Sequence, residues 1–402
     1  MNLNTVHSDR AAVSKVFLRA CCLIIDIGTS PVSIGGPGAS AKYRVFDLET
    51  GDCVLHFPNQ TEIVAGKHIE MSQLLAGAVP NVFFERLASH VMRSIESELG
   101  YAIPIARIVV GFPALITRGV AARTVNLTVG ADGDGGSWVE TNVQRLIADA
   151  FDVDHASVTV VNDMIAGIAG FVEREWSCNE GDHMAYVSMG GGCGVSEAFA
   201  LSDRVVLKPT EMGHMCGVPR RAYDDGAVVA SATRVQSTLE AEFCSIRAIE
   251  KLHREVTGKS FKCHEILDAW ESGTLTHSDV VIDRVIEGLA LLGTQLTVSG
   301  VRLIVIAGHL ANRLNRGCIK NLKKTIDELV KVRMRSLCRE DLLRGVQVVV
   351  FDAIDNTEAK MLLHQGAAVS ESTGWVEVPS TVLHAATQWK SYGDRRLELS
   401  DV

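Results

Sequence analysis

Continuous apolar runs that stop at an acidic or glycine-containing turn recur along the chain, and each predicts a strand buried on both faces. Ala20-Cys21-Cys22-Leu23-Ile24-Ile25 runs into Asp26-Ile27-Gly28-Thr29-Ser30, Ile103 to Val110 leads into Gly111-Phe112-Pro113-Ala114, and Ser157 to Val161 runs directly into Asn162-Asp163. In the second half Ala185 to Met189, Arg302 to Ala307 and Val346 to Asp352 repeat the pattern. Tyr43 to Leu48 alternates instead, which predicts a strand with one covered face. Helical spacing takes over between these runs: Val82, Phe83, Leu87, Val91, Ile95 and Leu99 mark one face of a helix over 80–99. Further helices are predicted over 138–151, 164–172, 231–251, 264–272 and 277–298, and another opens at Glu358 and crosses back through Ala368. The polar C-terminal stretch is expected at the periphery. Each half starts with a glycine-turned β-ribbon and continues as helix–strand alternation, so the pattern predicts two related α/β domains with a cleft between them.

The densest candidate chemistry lies in residues 185–214. The run ending at Met189 passes into Gly190, Gly191, Gly192 and Gly194 and resumes as Val195 to Leu201, a strand, a glycine turn and a second strand. A backbone without Cβ atoms there allows N–H groups to converge on an anion. A turn around Lys208-Pro209 then leads to Glu211-Met212-Gly213-His214, which sets two polar side chains three residues apart. Asp26 ends a buried strand beside Gly28 and Thr29, a position suited to meeting a metal-bound phosphate through water. Asp163 stands at a strand-to-helix junction, a common place for a catalytic carboxylate in open α/β sheets. Asn and Asp are also good helix caps, and composition does not separate the two roles.

At 402 residues the chain exceeds one ordinary core, and 47% hydrophobic with 22% charged residues is globular composition. Its 39 Lys+Arg against 48 Asp+Glu give a net charge of −9, so no global basic field holds nucleic acid and any phosphate must be bound locally. Ten cysteines without a Cys-x-x-Cys suggest reduced thiols of a cytoplasmic protein. The N-terminus is polar, and Arg19 and Asp26 interrupt the first apolar stretch, which fits neither a signal peptide nor a membrane span.

Taken in order and spacing, five segments between residues 22 and 370 resemble a sugar kinase of the ROK and bacterial-glucokinase group within the actin-like ATPase superfamily. Asp26-Ile27-Gly28-Thr29 is similar to the first phosphate motif, with one glycine where the family has two. Gly111-Phe112-Pro113-Ala114 resembles the Gly-x-Pro-Gly turn, with alanine last. Asn162-Asp163 matches the sugar-contacting Asn and the catalytic Asp. Ser188 to Gly194 resembles the second phosphate motif, with Gly191 where threonine is usual, and Glu211-x-Gly213-His214 resembles the sugar grip. Weaker matches are Ala307-Gly308 for the adenosine-side glycines and Glu240, with Glu242 as its competitor, for the last sugar-binding glutamate.

The resemblance implies two actin-like (ribonuclease H-like) α/β domains flanking a deep cleft. Residues 1–18 would be an extension, 19–170 a small domain with 366–402 packing back on it, and 171–365 a large domain. It implies ATP and Mg²⁺, with Asp26, Gly28, Thr29, Gly190, Gly191, Gly192, Gly194 and Gly308 on the donor side and Mg²⁺ at Asp26 through water. Asn126, Asn162, Glu211, His214 and Glu240 would hold a hexose, and Asp163 would take a proton from its hydroxyl, the 6-OH in a glucokinase-like reaction. The zinc-binding members follow the histidine with a cysteine cluster of which only Cys216-Gly217 remains, so no structural zinc is expected. Two alternatives stay open: a kinase for an amino or N-acyl hexose such as kanosamine, glucosamine or N-acetylmannosamine, and a non-catalytic sugar-binding regulator. The implied partner is a small sugar, with no nucleic acid and no membrane, and a homodimer is the usual expectation for such folds.

Overall fold

The computed structural model of the chain describes residues 20–28, 40–48, 68–70, 74, 79–99, 102–121, 138, 140–210, 212, 243–274, 278–318, 322–337, 339–343, 345–351, 362, 367–370 and 373–382. The first half holds β1 (Cys21–Gly28), β2 (Ser40–Asp47), β3 (His68–Glu70), α1 (Pro80–Leu99), β4 (Ile105–Phe112), β5 (Ile116–Thr117), β6 (Val120–Ala121), β7 (Thr141–Asn142), α2 (Val143–Phe151), β8 (Val158–Asn162) and α3 (Asp163–Arg174). The second holds β9 (His183–Met189), β10 (Cys193–Ala200), β11 (Arg204–Thr210), α4 (Ile246–Thr257), α5 (Cys263–Glu271), α6 (Ser278–Val298), β12 (Leu303–Ala307), α7 (His309–Arg313), α8 (Leu322–Ser336), β13 (Gln347–Val350), β14 (Ala368–Val369) and β15 (Val376–Pro379).

Two sheets repeat one topology. The first runs β3-β2-β1-β4-β8, and within the second the order β11-β10-β9-β12-β13 matches it strand for strand. In both, the first strand pairs antiparallel with the second and parallel with the fourth. This is the mixed α/β, two-sheet arrangement of the actin-like fold. The continuous apolar runs are explained by burial on both faces: in β1, Cys21, Leu23, Ile25 and Ile27 join one core cluster while Cys22 and Ile24 join another.

The helix α3 joins the two sheets. Residues Ile165 to Val172 are all buried, as expected of a helix apolar all round. It packs on β1, β4 and β8 on one side and on β9, β10 and β11 on the other. Its first residue is Asp163, so the polar end of an otherwise buried helix is presented where the two sheets meet.

Several expectations are corrected. The helix expected over 138–151 begins at Val143, because Asn142 caps it by accepting from Arg145 N–H at 2.9 Å and Glu140 has φ +60°. Trp138 sits instead in an aromatic cluster with Phe83, Phe84 and Phe112, at centroid distances of 5.4, 5.8 and 5.2 Å. Lys208-Pro209 is no turn but part of β11. The helix expected from 231 to 251 runs from Ile246 to Thr257, after Ser245 caps it; residues 231–242 lie outside the described ones. Ala368 belongs to a strand rather than to a crossing helix, and β14 and β15 extend the second sheet beyond β11. The described part of 366–402 is therefore hydrogen-bonded into the second sheet, not the first, and Val376 and Val378 are buried rather than peripheral. It touches the first half at Gly374, where a Cβ would collide with the Ile116 carbonyl. Among the described residues no helix is long and apolar enough to cross a membrane.

Candidate active site

The Gly111–Ala114 turn and the end of the Gly190–Gly194 turn both pack on the N-terminus of α3. Asn162 caps the helix through Oδ1, which accepts from Met164 N–H at 3.0 Å, and its Nδ2 donates to the Ala114 carbonyl at 2.9 Å. One buried amide thus joins β8 and α3 to the Gly111–Ala114 turn, itself closed by Ala114 N–H on the Phe112 carbonyl at 2.8 Å. The carboxylate of Asp163 is oriented by the same amide, since Met164 N–H also donates to Asp163 Oδ1 at 2.9 Å. Asp163 therefore assists the cap, the first of the two roles left open by the sequence, and its backbone stands at the junction. A helix N-terminus also favours its negative charge.

Gly111 separates Asp163 from Asp26. A Cβ on Gly111 would lie 3.4 Å from Asp26 Oδ1 and 3.5 Å from both Asp163 Cα and Ala166 Cβ, so the two aspartates flank one bare backbone position. Asp26 is 6% exposed. Its charge reaches across to the second sheet, where the Tyr186 phenol is pushed up first by burial and then by Asp26. Lys42 lies directly opposite Asp26 in the antiparallel pair, so both side chains project from one face beside Gly111.

The glycine turn meets this point from the other sheet. Gly194 packs so closely on Met164 that any Cβ would collide with its sulfur, and Ser196 Oγ donates to the Met164 carbonyl at 3.1 Å. The turn is closed by Gly190 N–H on the Gly192 carbonyl at 2.9 Å. The Gly190 carbonyl in turn accepts from Ile246 N–H at 3.0 Å, at the start of α4. Gly308, at φ +98°, lies against β9: a Cβ there would collide with the Met189 carbonyl and sit 2.8 Å from Met189 N. His309 follows, and its imidazole is pushed down by the protein packed around it and by the positive charge of Lys42.

Asp26, Gly28, Asn162, Asp163, Gly190, Gly191, Gly192, Gly194 and Gly308 are thus described, with Gly28 ending β1. Thr29, Asn126, Glu211, His214, Glu240 and Glu242 lie outside the described residues, so the geometry on hand is that of the aspartate–glycine junction. Sequence reasoning missed Lys42, Ser196 and His309. The alternation of β2 was the one available signal for Lys42, because its partner across the strand pair is a matter of register.

Among the described residues no three His, Cys, Asp or Glu side chains gather as a metal cage. Mg²⁺ is commonly held by one or two carboxylates together with substrate phosphates. A single buried carboxylate at Asp26, beside a glycine turn, fits that mode.

Two mixed sheets of repeated topology, with an aspartate-bearing helix between them and glycine turns at the junction, define an actin-like fold. No protein-family model matches the chain, and no curated protein matches it. Among solved structures it is similar to the glucokinase of Balamuthia mandrillaris in complex with glucose, at 12% identity over 85% of this chain and 92% of that one, with a TM-score of 0.58. It is similar to the ROK hexokinase of Thermus thermophilus at 15% identity over 85% and 96%, with a TM-score of 0.55. It is also similar to a ROK family transcriptional regulator homologous to the E. coli MLC protein, at 13% identity over 94% of this chain and 83% of that one, with a TM-score of 0.54. At these identities the likeness is one of fold.

Proposed function

We propose that the chain is an ATP-dependent sugar kinase that transfers the γ-phosphoryl group to a hexose hydroxyl, with Asp163 as general base. The observation that carries this reading is the convergence at Gly111, where two aspartates from β1 and α3 flank one glycine and the Gly190–Gly194 turn docks on the residue after Asp163. Asp163 would accept the proton of the sugar hydroxyl as its oxygen attacks the γ-phosphorus and the bond to the β,γ-bridging oxygen breaks, releasing ADP. Backbone amides of the glycine turn and the Lys42 ammonium would hold the donor phosphates. Asp26 would hold Mg²⁺, which neutralises phosphate charge when bound. On the sugar side, Asn162 and the undescribed Asn126, Glu211, His214 and Glu240 are the candidates. Buried polar grips of that kind reject analogues lacking a hydroxyl.

The test is a coupled ADP-release assay with Mg-ATP over glucose, mannose, fructose, glucosamine, N-acetylmannosamine and kanosamine. Release that depends on one of these sugars is expected, and the preferred sugar decides between the glucokinase-like and the amino-hexose readings. If no sugar stimulates release while one of them raises the melting temperature, catalysis is ruled out and a sugar-binding regulator takes its place.

A further inference from the structure

The glycine turn has a support that none of the phosphate motifs supplies, a seat on α6. The Gly190 carbonyl is fixed by Ile246 N–H at 3.0 Å, and Ile246 opens α4 directly after its buried cap Ser245, whose Oγ accepts from Ala248 N–H at 3.0 Å. The two residues before the cap, Phe243 and Cys244, are buried against α6. Gly288 lies so close beneath them that a Cβ would collide with Phe243 Cβ and come within 2.9 Å of Cys244 Sγ. One helical turn earlier, the buried Arg284 guanidinium stands 4.5 Å over the Phe243 ring. It also donates to Glu287 Oε2 at 3.3 Å, and Glu287 meets Arg333 of α8 at 3.7 Å. The path from α6 through Phe243–Cys244 and Ile246 to the Gly190 carbonyl is thus a chain of close contacts.

We infer that the Arg284–Gly288 face of α6 positions the phosphate-binding turn, setting through Phe243–Cys244 and Ile246 where the Gly190–Gly194 amides stand relative to Asp163. The inference rests on the reading that this turn holds the donor phosphates. Gly288 and Arg284 are positioning residues, since they act on the turn through Phe243–Cys244 and Ile246. A cation–π contact in a buried site keeps the ring in place, and the bare Cα of Gly288 admits the Phe243 and Cys244 side chains closer than any Cβ would allow.

The experiment compares Gly288→Ala and Arg284→Met with Arg284→Lys and with Gly293→Ala. The last is a control on the same helix, since a Cβ there meets Val330 Cγ2 of α8 at 2.9 Å and loads the packing away from the seat. Because misplacement by about 1 Å can cost on the order of 10²-fold, Gly288→Ala and Arg284→Met are expected to lower kcat/KM for Mg-ATP by about tenfold or more, with sugar KM moving far less. Arg284→Lys should recover most of the loss, and Gly293→Ala should leave the donor parameters unchanged. A second readout needs no turnover: hydrogen exchange of peptides spanning 189–194 and 246 should accelerate in Gly288→Ala and Arg284→Met but not in Gly293→Ala. If Gly288→Ala does not fold, Arg284→Met carries the test, because it leaves the close approach of Phe243 and Cys244 to Gly288 intact. Unchanged exchange and unchanged donor kinetics in the folded variants overturn the inference. Faster exchange at the turn in a protein that shows no kinase activity with any sugar leaves the seat standing and overturns the kinase reading instead.

Discussion

Replacing Asp163 by asparagine separates its contact at the start of α3 from its proposed role as base. Asparagine retains an Oδ1 that accepts from Met164 N–H, the contact made at 2.9 Å by the aspartate, and Asn162 continues to cap the same amide at 3.0 Å. The fold therefore loses only the favourable placement of a negative charge at the N-terminus of α3, worth about 0.3–1 kcal/mol. A change of that size moves the melting temperature by no more than about 4 °C. Proton acceptance is lost altogether, because an amide is not a base at neutral pH. General-base catalysis contributes about 10²–10⁴-fold, which corresponds to about 2.7–5.4 kcal/mol of barrier. The assay pairs sugar-dependent ADP release with thermal unfolding of both proteins. A kcat/KM within about tenfold of the parent would falsify the assignment of Asp163 as base, whereas a variant that unfolds would show that the carboxylate's main task is to hold the helix start.

Three further outcomes are expected. Gly308→Ala forces a non-glycine residue to φ +98° and into the Met189 backbone, so a stability loss of at least about 1–3 kcal/mol is expected from the backbone conformation alone; a urea midpoint equal to the parent's contradicts the close approach. Lys42→Ala should raise the KM for Mg-ATP by about ten- to a hundred-fold, as for a charged hydrogen bond worth about 1.5–3 kcal/mol, and an unchanged donor KM removes Lys42 from the donor side. His253 is fully buried, and desolvation holds its imidazole below the ordinary value. Its contribution to stability is complete above the unfolded pKa of about 6.5 and is lost as the pH falls below it. Urea midpoints should therefore drop on acidification more steeply in the parent than in His253→Gln, and parallel curves would reject that source.

The strand runs of both halves were legible because burial on two faces leaves no choice but continuous apolar residues, as in Cys21 to Ile27. The candidate residues at the strand ends stood out for a related reason. An acidic residue or a cluster of glycines at the end of such a run has no place in the core and marks the edge where the chain turns, as at Asp26, Asp163 and Gly190 to Gly194. Boundaries read less well. Periodicity continued the second helix back to Trp138, where the aromatic cluster claimed the ring, and a proline at 209 suggested a turn where pairing with β10 carries the strand on to Thr210.

What only the tertiary structure decided is adjacency. That Gly111 stands between Asp26 and Asp163, that Lys42 faces Asp26, and that Gly194 sits on Met164 all follow from strand register and from the placement of α3 between two sheets. Local sequence carries no record of these, because contacts between residues far apart in the chain depend on how apolar faces are buried together. The same holds for Gly288. In sequence it is a glycine inside a helix, a modest local cost, and only the approach of Phe243 and Cys244 explains why a bare Cα belongs there.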